Sequence, residues 1–194
     1  MATAFRWRSL ILSSVDGTQH VRRAFEDVEN PEWSVYPLGI SGDTTTSLLK
    51  RMAVETEARK PDALLIQIGV NDARYIETED HPETPLPVFK ENIEKIMQIA
   101  KQHTEGIAFL GITPVNESKT MPIPWRPDLY YTERNVAQYA AALEMFCSEQ
   151  NIRFIPMGDI FTKEDLPDGL HPSVEGHTKI AERVLEHLPF SEST

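Results

Sequence analysis

Ala63-Leu64-Leu65-Ile66-Gln67-Ile68, followed at once by Gly69-Val70-Asn71-Asp72, is the stretch of sequence that reveals the fold most directly. A short apolar run that ends at a turn is typical of a buried strand. Similar runs recur along the chain and alternate with longer segments of helical period. They span residues 10–12, 34–38, 107–112 and 153–156. This alternation predicts an α/β fold with three layers, in which helices cover both faces of a five-stranded parallel sheet.

The segments between the predicted strands have the apolar spacing of amphipathic helices. Apolar side chains repeat every three or four residues in segments 89–100 and 174–188, which predicts helices with one face on the core. A shorter helix is predicted to begin after Asp43-Thr44, with Asp43 as its candidate N-cap, because Asp commonly caps helix N-termini. No repeat, low-complexity tract or linker interrupts the pattern, so residues 1–194 are predicted to form a single domain.

The composition is acidic and excludes several classes of partner. The chain has 30 Asp and Glu against 19 Lys and Arg, a net charge of −11 that repels phosphate backbones and anionic membranes. No apolar run approaches the roughly 20 residues of a membrane span. The run after Arg8 is too short for a signal peptide. Nucleic acid and membrane are therefore not expected as partners, and a cytoplasmic location is predicted.

Polar residues stand where the predicted strands end, which is the edge at which parallel α/β sheets bind ligands. Asp168-Gly169-Leu170-His171 lets a carboxylate hold one imidazole nitrogen while the other faces a reactant. Gly42 allows a backbone N–H to approach a ligand closely, and Asn71 offers a side-chain amide donor. Taken singly, each pattern also fits an ordinary turn or a helix cap.

In combination and order, these segments resemble three of the four sequence blocks of the SGNH (GDSL-like) hydrolase superfamily. The segment Gly39-Ile-Ser-Gly42-Asp-Thr-Thr resembles the block with the oxyanion glycine, Ile68-Gly-Val-Asn71-Asp72 resembles the GxND block, and Asp168-Gly-Leu-His171-Pro resembles the DxxH block. Segments 111–119 and 122–125 are similar to a bacterial branch of these enzymes. The resemblance therefore runs from about Val35 to the C-terminus.

The resemblance implies a flavodoxin-like SGNH fold and a serine esterase acting on small-molecule esters without a cofactor or metal. In that scheme the Gly42 N–H and the Asn71 amide are oxyanion donors, His171 is the base, and Asp168 orients it. Asp72 lies beside the predicted strand end, and Trp125 stands in a proline-rich segment. These two residues are the candidate substrate contacts.

The nucleophile block departs from the family pattern. Instead of Gly-Asp-Ser after the first strand, the chain has Leu10-Ile-Leu-Ser13-Ser14-Val15-Asp16-Gly17. An ungapped superposition puts the family serine on Val15, a slip of one residue on Ser14, and a slip of two on Ser13. Ser14 is the predicted nucleophile.

Two other hypotheses follow from the same residues. If the nucleophile block has been lost, the chain is a catalytically inactive SGNH-fold protein that binds an ester or glycan-like ligand in the same cleft. Metal-dependent hydrolysis by Asp168, His171 and His177 is a weaker alternative, because His177 belongs to the apolar stripe of a helix and these spacings match no zinc pattern.

Overall fold

Five parallel strands form one sheet in the computed structural model of the chain, which describes residues 9–12, 34–78 and 81–187. The strands run in the order β2-β1-β3-β5-β7. Two further short strands, β4 and β6, form a separate antiparallel ladder. The bounds are β1 Ser9–Leu12, β2 Ser34–Pro37, β3 Ala63–Ile66, β4 Tyr75–Ile76, β5 Gly106–Leu110, β6 Leu129–Tyr130 and β7 Arg153–Ile155.

Helices cover both faces of this sheet, which confirms the predicted three-layer α/β architecture. Their bounds are α1 Thr45–Leu49, α2 Met52–Arg59, α3 Leu86–His103, α4 Glu117–Thr120, α5 Glu133–Glu149 and α6 Val174–His187, with one turn of 3₁₀ helix at Lys163–Asp165. No helix in the described part of the chain is long and apolar enough to cross a membrane.

The central strand β3 is buried on both faces, as its uninterrupted apolar sequence requires. Successive side chains of a strand point to opposite faces. Leu64 and Ile66 accordingly belong to an apolar cluster that includes residues of α3 and α5. Ala63 and Leu65 belong to a second cluster that includes residues of α6. The two cores hold the sheet between the helical layers.

Four strands of the parallel sheet are shorter at their carboxyl ends than the sequence predicts. Strands β2, β3, β5 and β7 each end one or two residues earlier than the apolar runs predict. After β3, residues 67–71 leave the ladder and line a cavity, and Ile112 does the same after β5. The residues beyond these strand ends are therefore available to form a site.

The helix predicted after Asp43-Thr44 begins at Thr45 as expected, but it is divided in two and its N-cap differs from the predicted one. Thr44, and not Asp43, is the N-cap: the Thr44 hydroxyl accepts the Ser47 N–H, and the Ser47 hydroxyl accepts the Thr44 N–H. Asp43 instead accepts a 3.1 Å hydrogen bond from Arg51 Nε. Bonds from Lys50 and Arg51 to carbonyls three residues earlier tighten the chain between α1 and α2.

Two short strands, β4 and β6, join the segment after β3 to the segment after β5. Tyr75 pairs with Tyr130 and Ile76 with Leu129 in the β4–β6 ladder. Strands of two residues leave no periodic signal in a sequence, so this ladder was not predicted. It brings Tyr131 close to the end of β3.

Candidate active site

A cavity of about 130 Å³ lies beyond the carboxyl ends of the parallel strands. Its walls are residues 40–43 after β2, residues 67–71 after β3, Ile112 and Thr113 after β5, and residues 170–172 before α6. This is the place where open α/β sheets bind their ligands.

Three of the residues selected from the sequence line this one cavity: Gly42, Asn71 and His171. Asn71 Nδ2 donates a 3.0 Å hydrogen bond to the Asp43 carbonyl, which ties the end of β3 to the segment that follows β2. A Cβ placed on Gly42 would have no atom within 4 Å, so the backbone there is open to the surroundings. The side-chain amide of Asn71 and the backbone at Gly42 thus stand next to each other.

The Asp168 carboxylate accepts three hydrogen bonds within one tight turn, two of them from His171. Asp168 Oδ1 accepts the backbone N–H groups of Leu170 and His171 at 2.9 and 2.7 Å. Its other oxygen, Oδ2, lies 2.7 Å from His171 Nδ1. Burial alone would raise the pKa of Asp168, but the hydrogen bonds from His171 and Leu170 outweigh it and hold that pKa below its ordinary value. The carboxylate is therefore ionised at neutral pH and accepts a hydrogen bond from the Nδ1–H group of His171.

The turn that carries this pair depends on Gly169. Its φ of +89° lies in the left-handed region, and a Cβ there would stand 2.7 Å from Lys119 Cβ. The Asn116 N–H donates to the Gly169 carbonyl at 2.8 Å, and Lys119 Nζ donates to the Pro167 carbonyl at 2.9 Å. The Asp168–His171 turn is therefore fastened to the segment after β5.

Asp72, expected to contact substrate, is fully buried beside Asn71 and faces away from the cavity. Its carboxylate accepts the Thr45 N–H at 3.0 Å and the Thr45 hydroxyl at 2.5 Å. Burial raises the pKa of Asp72, although hydrogen bonds from Thr45 and Thr84 act in the opposite direction. The expected substrate contact is thus corrected: Asp72 fastens the start of α1 to the end of β3.

Trp125 lies beside the catalytic candidate His171. The two rings are stacked, with centroids 5.5 Å apart and an interplanar angle of 30°. Trp125 is 48% exposed, so one side of the indole remains open to solvent and to a ligand. An aromatic face in this position provides a platform at the edge of the cavity.

Two residues that contact Asn71 were missed in the sequence. Tyr131 Oη donates to Asn71 Oδ1 at 2.9 Å, and Arg74 Nη1 donates to the same oxygen at 3.3 Å. Arg74 stands three residues after Asn71, a spacing that could have drawn attention to it. Tyr131 is 60 positions away from Asn71 and stands in no motif, so no signal pointed to it.

The predicted nucleophile Ser14, with its neighbour Ser13, lies outside the described residues. Strand β1 ends at Leu12, which pairs with Leu65 of β3 on one side and with Pro37 of β2 on the other. In the sequence, Ser13 and Ser14 follow Leu12, which is the last residue of a central strand. Among the described residues, Ser41 and Thr113 carry hydroxyl groups on the cavity wall.

Within residues 9–12, 34–78 and 81–187, no three His, Cys, Asp or Glu side chains are grouped so that they could hold a metal ion. His177, the third ligand in the metal-dependent alternative, is a buried residue of α6 that also lines the cavity. The arrangement around His171 is that of an imidazole held by one carboxylate.

Known proteins resemble this chain in sequence over most of its length. An arylesterase from Vibrio mimicus is 27% identical over 154 residues, a match that covers 77% of this chain and 66% of that protein. An acetylxylan esterase from Geobacillus stearothermophilus is 27% identical over 163 residues, covering 78% of this chain and 70% of that protein. The chain thus spans about two thirds of the length of these relatives.

A structural superposition and a family match give the same relationship as these two relatives. The crystal structure of a lipase/acylhydrolase from Enterococcus faecalis superposes with a TM-score of 0.73 at 20% identity, covering 92% of this chain and 94% of that one. The profile of the GDSL-like Lipase/Acylhydrolase family matches residues 13–179. The resemblance seen in the sequence blocks is therefore confirmed, and the chain belongs to the GDSL-like lipase/acylhydrolase family.

Proposed function

We propose that this chain hydrolyses small esters with Ser14 as the nucleophile, His171 as the base and Asp168 as the carboxylate that orients it. The observation that carries the proposal is the shared cavity: Gly42, Asn71 and His171 line it together, and Asp168 lies 2.7 Å from His171 Nδ1. The family match begins at residue 13 and so includes both Ser14 and its neighbour Ser13.

In the first half of the reaction, His171 Nε2 takes the hydroxyl proton of Ser14 as Oγ attacks the ester carbonyl carbon. The carbonyl oxygen becomes an oxyanion, which accepts hydrogen bonds from the Gly42 N–H and from the Asn71 amide. The intermediate collapses when the bond to the alcohol oxygen breaks. The alcohol leaves with the proton from His171, and the acyl group stays on Ser14.

In the second half, water replaces the alcohol. His171 accepts a proton from the water molecule as its oxygen attacks the acyl carbon, and the same two donors stabilise the second oxyanion. The bond to Ser14 Oγ then breaks, Ser14 regains its proton from His171, and the carboxylic acid departs. Asp168 stabilises the imidazolium form of His171 in both halves.

The cavity favours a short acyl group. Its volume of about 130 Å³ is well below the roughly 300–1,000 Å³ of pockets that enclose drug-sized ligands. One relative is named an acetylxylan esterase, and acetyl is the kind of acyl group that such a cavity holds. The exposed face of Trp125 at the edge then contacts the alcohol part of the ester.

Pre-steady-state hydrolysis of p-nitrophenyl acetate tests the proposal. We expect a burst of about one p-nitrophenolate per chain, because acylation is followed by slower hydrolysis of the acyl-enzyme. Ser14→Ala abolishes the burst, whereas Ser13→Ala, the matched control one residue away, retains it.

Three outcomes would contradict parts of this account. A burst that survives in Ser14→Ala and disappears in Ser13→Ala moves the nucleophile to Ser13. A burst that survives both substitutions removes the predicted block from the reaction. Wild-type turnover no faster than that of His171→Ala would leave a protein that only binds a ligand in this cavity.

A further inference from the structure

The side-chain amide of Asn71 is held in one orientation by groups on both of its ends. Oδ1 accepts hydrogen bonds from Tyr131 Oη at 2.9 Å and from Arg74 Nη1 at 3.3 Å. Nδ2 donates to the Asp43 carbonyl at 3.0 Å. An amide nitrogen carries two hydrogens, so one more N–H remains for an acceptor in the cavity that Asn71 lines.

The opposite orientation of this amide is unfavourable at two of its three contacts, those with Arg74 and Asp43. Rotation by 180° would bring Nδ2 against the guanidinium of Arg74, which can only donate, and Oδ1 against the Asp43 carbonyl, which can only accept. Arg74 is itself fixed by an ion pair with Glu83. The guanidinium of Arg74 therefore selects Oδ1 as its partner, and the Asp43 carbonyl selects Nδ2.

The hydroxyl of Tyr131 acts as a hydrogen-bond donor to Asn71. Its side chain is 1% exposed, and its hydroxyl also accepts from Arg74 Nη1 at 3.5 Å. Burial raises the pKa of Tyr131 above its ordinary value, and Arg74 opposes this only in part. The hydroxyl thus keeps its proton throughout the neutral range and uses it on Asn71 Oδ1.

We infer that Tyr131, with Arg74 beside it, is a positioning residue that aims the Asn71 N–H at the developing oxyanion. This inference rests on the proposed function, in which Asn71 is an oxyanion donor. Tyr131 does not touch the substrate in this scheme. Its effect is indirect. A hydrogen-bond donor that is already oriented toward the oxyanion stabilises the transition state more than a donor that must reorient during the reaction.

Steady-state kinetics of Tyr131→Phe on p-nitrophenyl acetate tests this inference, since the substitution removes only the hydroxyl. We expect kcat to fall about ten-fold with KM changed less than two-fold. Asn71→Ala removes the donor itself, and its kcat is expected to fall by about 10²–10³. In the Asn71→Ala background, Tyr131→Phe should then cause no further loss, because the group it positions is gone.

Tyr139→Phe is the matched control. Tyr139 is also 1% exposed, and its hydroxyl donates to the Thr84 backbone carbonyl and not to a cavity residue. Its kcat is expected to stay within two-fold of the wild type. An unchanged kcat in Tyr131→Phe, or losses that multiply fully in the Asn71→Ala/Tyr131→Phe double variant, would overturn the inference.

A measurement without substrate separates this inference from the proposed function. ¹⁵N relaxation reports the order parameter of the Asn71 side-chain amide in the folded protein. We expect it to fall in Tyr131→Phe and to keep its wild-type value in Tyr139→Phe. An order parameter that stays high in Tyr131→Phe overturns the positioning role even in an inactive protein. A wild type without esterase activity overturns the proposed function on its own.

Discussion

At the scale of single residues, the carboxylate of Asp168 selects the tautomer of the neutral His171 ring. The pKa of Asp168 is held below its ordinary value, so the carboxylate is ionised at neutral pH and binds the Nδ1–H of His171. The unprotonated nitrogen of the neutral ring is then Nε2, which is the nitrogen that a general base needs on the reactant side.

Replacing Asp168 tests this arrangement. In Asp168→Asn the turn can still accept the backbone N–H groups of Leu170 and His171, but the amide no longer stabilises an imidazolium. We expect kcat for p-nitrophenyl acetate to fall by about 10²–10⁴. Asp159→Asn, which alters an exposed carboxylate paired with Arg183, serves as the control. Equal rates for the two variants would contradict the role of Asp168.

The sequence was most informative about residues in short motifs and least informative about residues that act across the fold. Gly42, Asn71 and His171 could be selected because each follows a predicted strand end or stands in a recognisable block. Asp72 was misinterpreted, because a sequence does not show whether a carboxylate after a strand points outward or toward a buried Thr45. Tyr131 could not be found, since it reaches Asn71 only through the β4–β6 ladder.

At the scale of elements, the exit from β3 depends on close packing at Gly69. Its φ is +122°, and a Cβ there would lie 2.5 Å from Ile112 Cδ1 and 3.1 Å from Phe89 Cε2. Both neighbours are buried, and the positive φ would strain any other residue even if the Ile112 side chain shifted into the cavity that it lines. The chain can therefore turn from β3 toward Asn71 only with glycine at this position.

Gly69→Ala is expected to destabilise the protein by about 2–4 kcal/mol, because backbone strain and overpacking add. Gly158→Ala is the control, since a Cβ on Gly158 meets no atom within 4 Å, and we expect a change within about 0.5 kcal/mol. Urea denaturation of both variants measures the difference. A Gly69→Ala variant as stable as Gly158→Ala would show that the packing is looser than described.

The 3₁₀ turn before the Asp168–His171 loop is fastened by Asp165. Its Oδ2 accepts from Lys179 Nζ and from the Thr162 N–H, both at 2.6 Å, and its carbonyl accepts the Ser173 N–H at 2.7 Å. The hydrogen bond from Lys179, followed by that from Thr162, lowers the pKa of Asp165 from 3.8 to about 2. The ionised carboxylate therefore links this turn to α6.

This lowered pKa predicts how stability depends on pH. Because the folded pKa is below the unfolded value, the contribution of Asp165 is complete above the unfolded pKa of 3.8 and is lost as the pH falls toward 2. We expect the Tm difference between wild type and Asp165→Asn to be constant near neutral pH and to shrink over that interval. Thermal unfolding followed by circular dichroism measures it. A difference that stays constant down to pH 2, or grows, would contradict this assignment.

Elements with a periodic sequence could be predicted, and elements without one could not. The parallel strands and the long helices α3 and α6 were found because burial on one or both faces leaves a pattern of apolar residues. The ladder of β4 and β6 is too short for such a pattern. The division between α1 and α2 was also missed, because it depends on local hydrogen bonds at Lys50 and Arg51.

At the scale of the whole molecule, the sheet order explains how distant segments meet. Strand β1 lies between β2 and β3, so its last residue, Leu12, lies between the strand that leads to Gly42 and the strand that leads to Asn71. The loop before α6 brings His171 to the same cavity. The central claim is that a serine directly after β1 completes this group.

Covalent labelling tests that claim most directly. Diethyl p-nitrophenyl phosphate transfers its phosphoryl group to an activated serine and releases p-nitrophenolate, and peptide mapping by mass spectrometry identifies the modified residue. We predict one diethylphosphoryl group per chain, on Ser14, and none in His171→Ala treated in the same way. Stoichiometric labelling of Ser41 or Thr113 instead, or equal labelling of wild type and His171→Ala, would contradict the account.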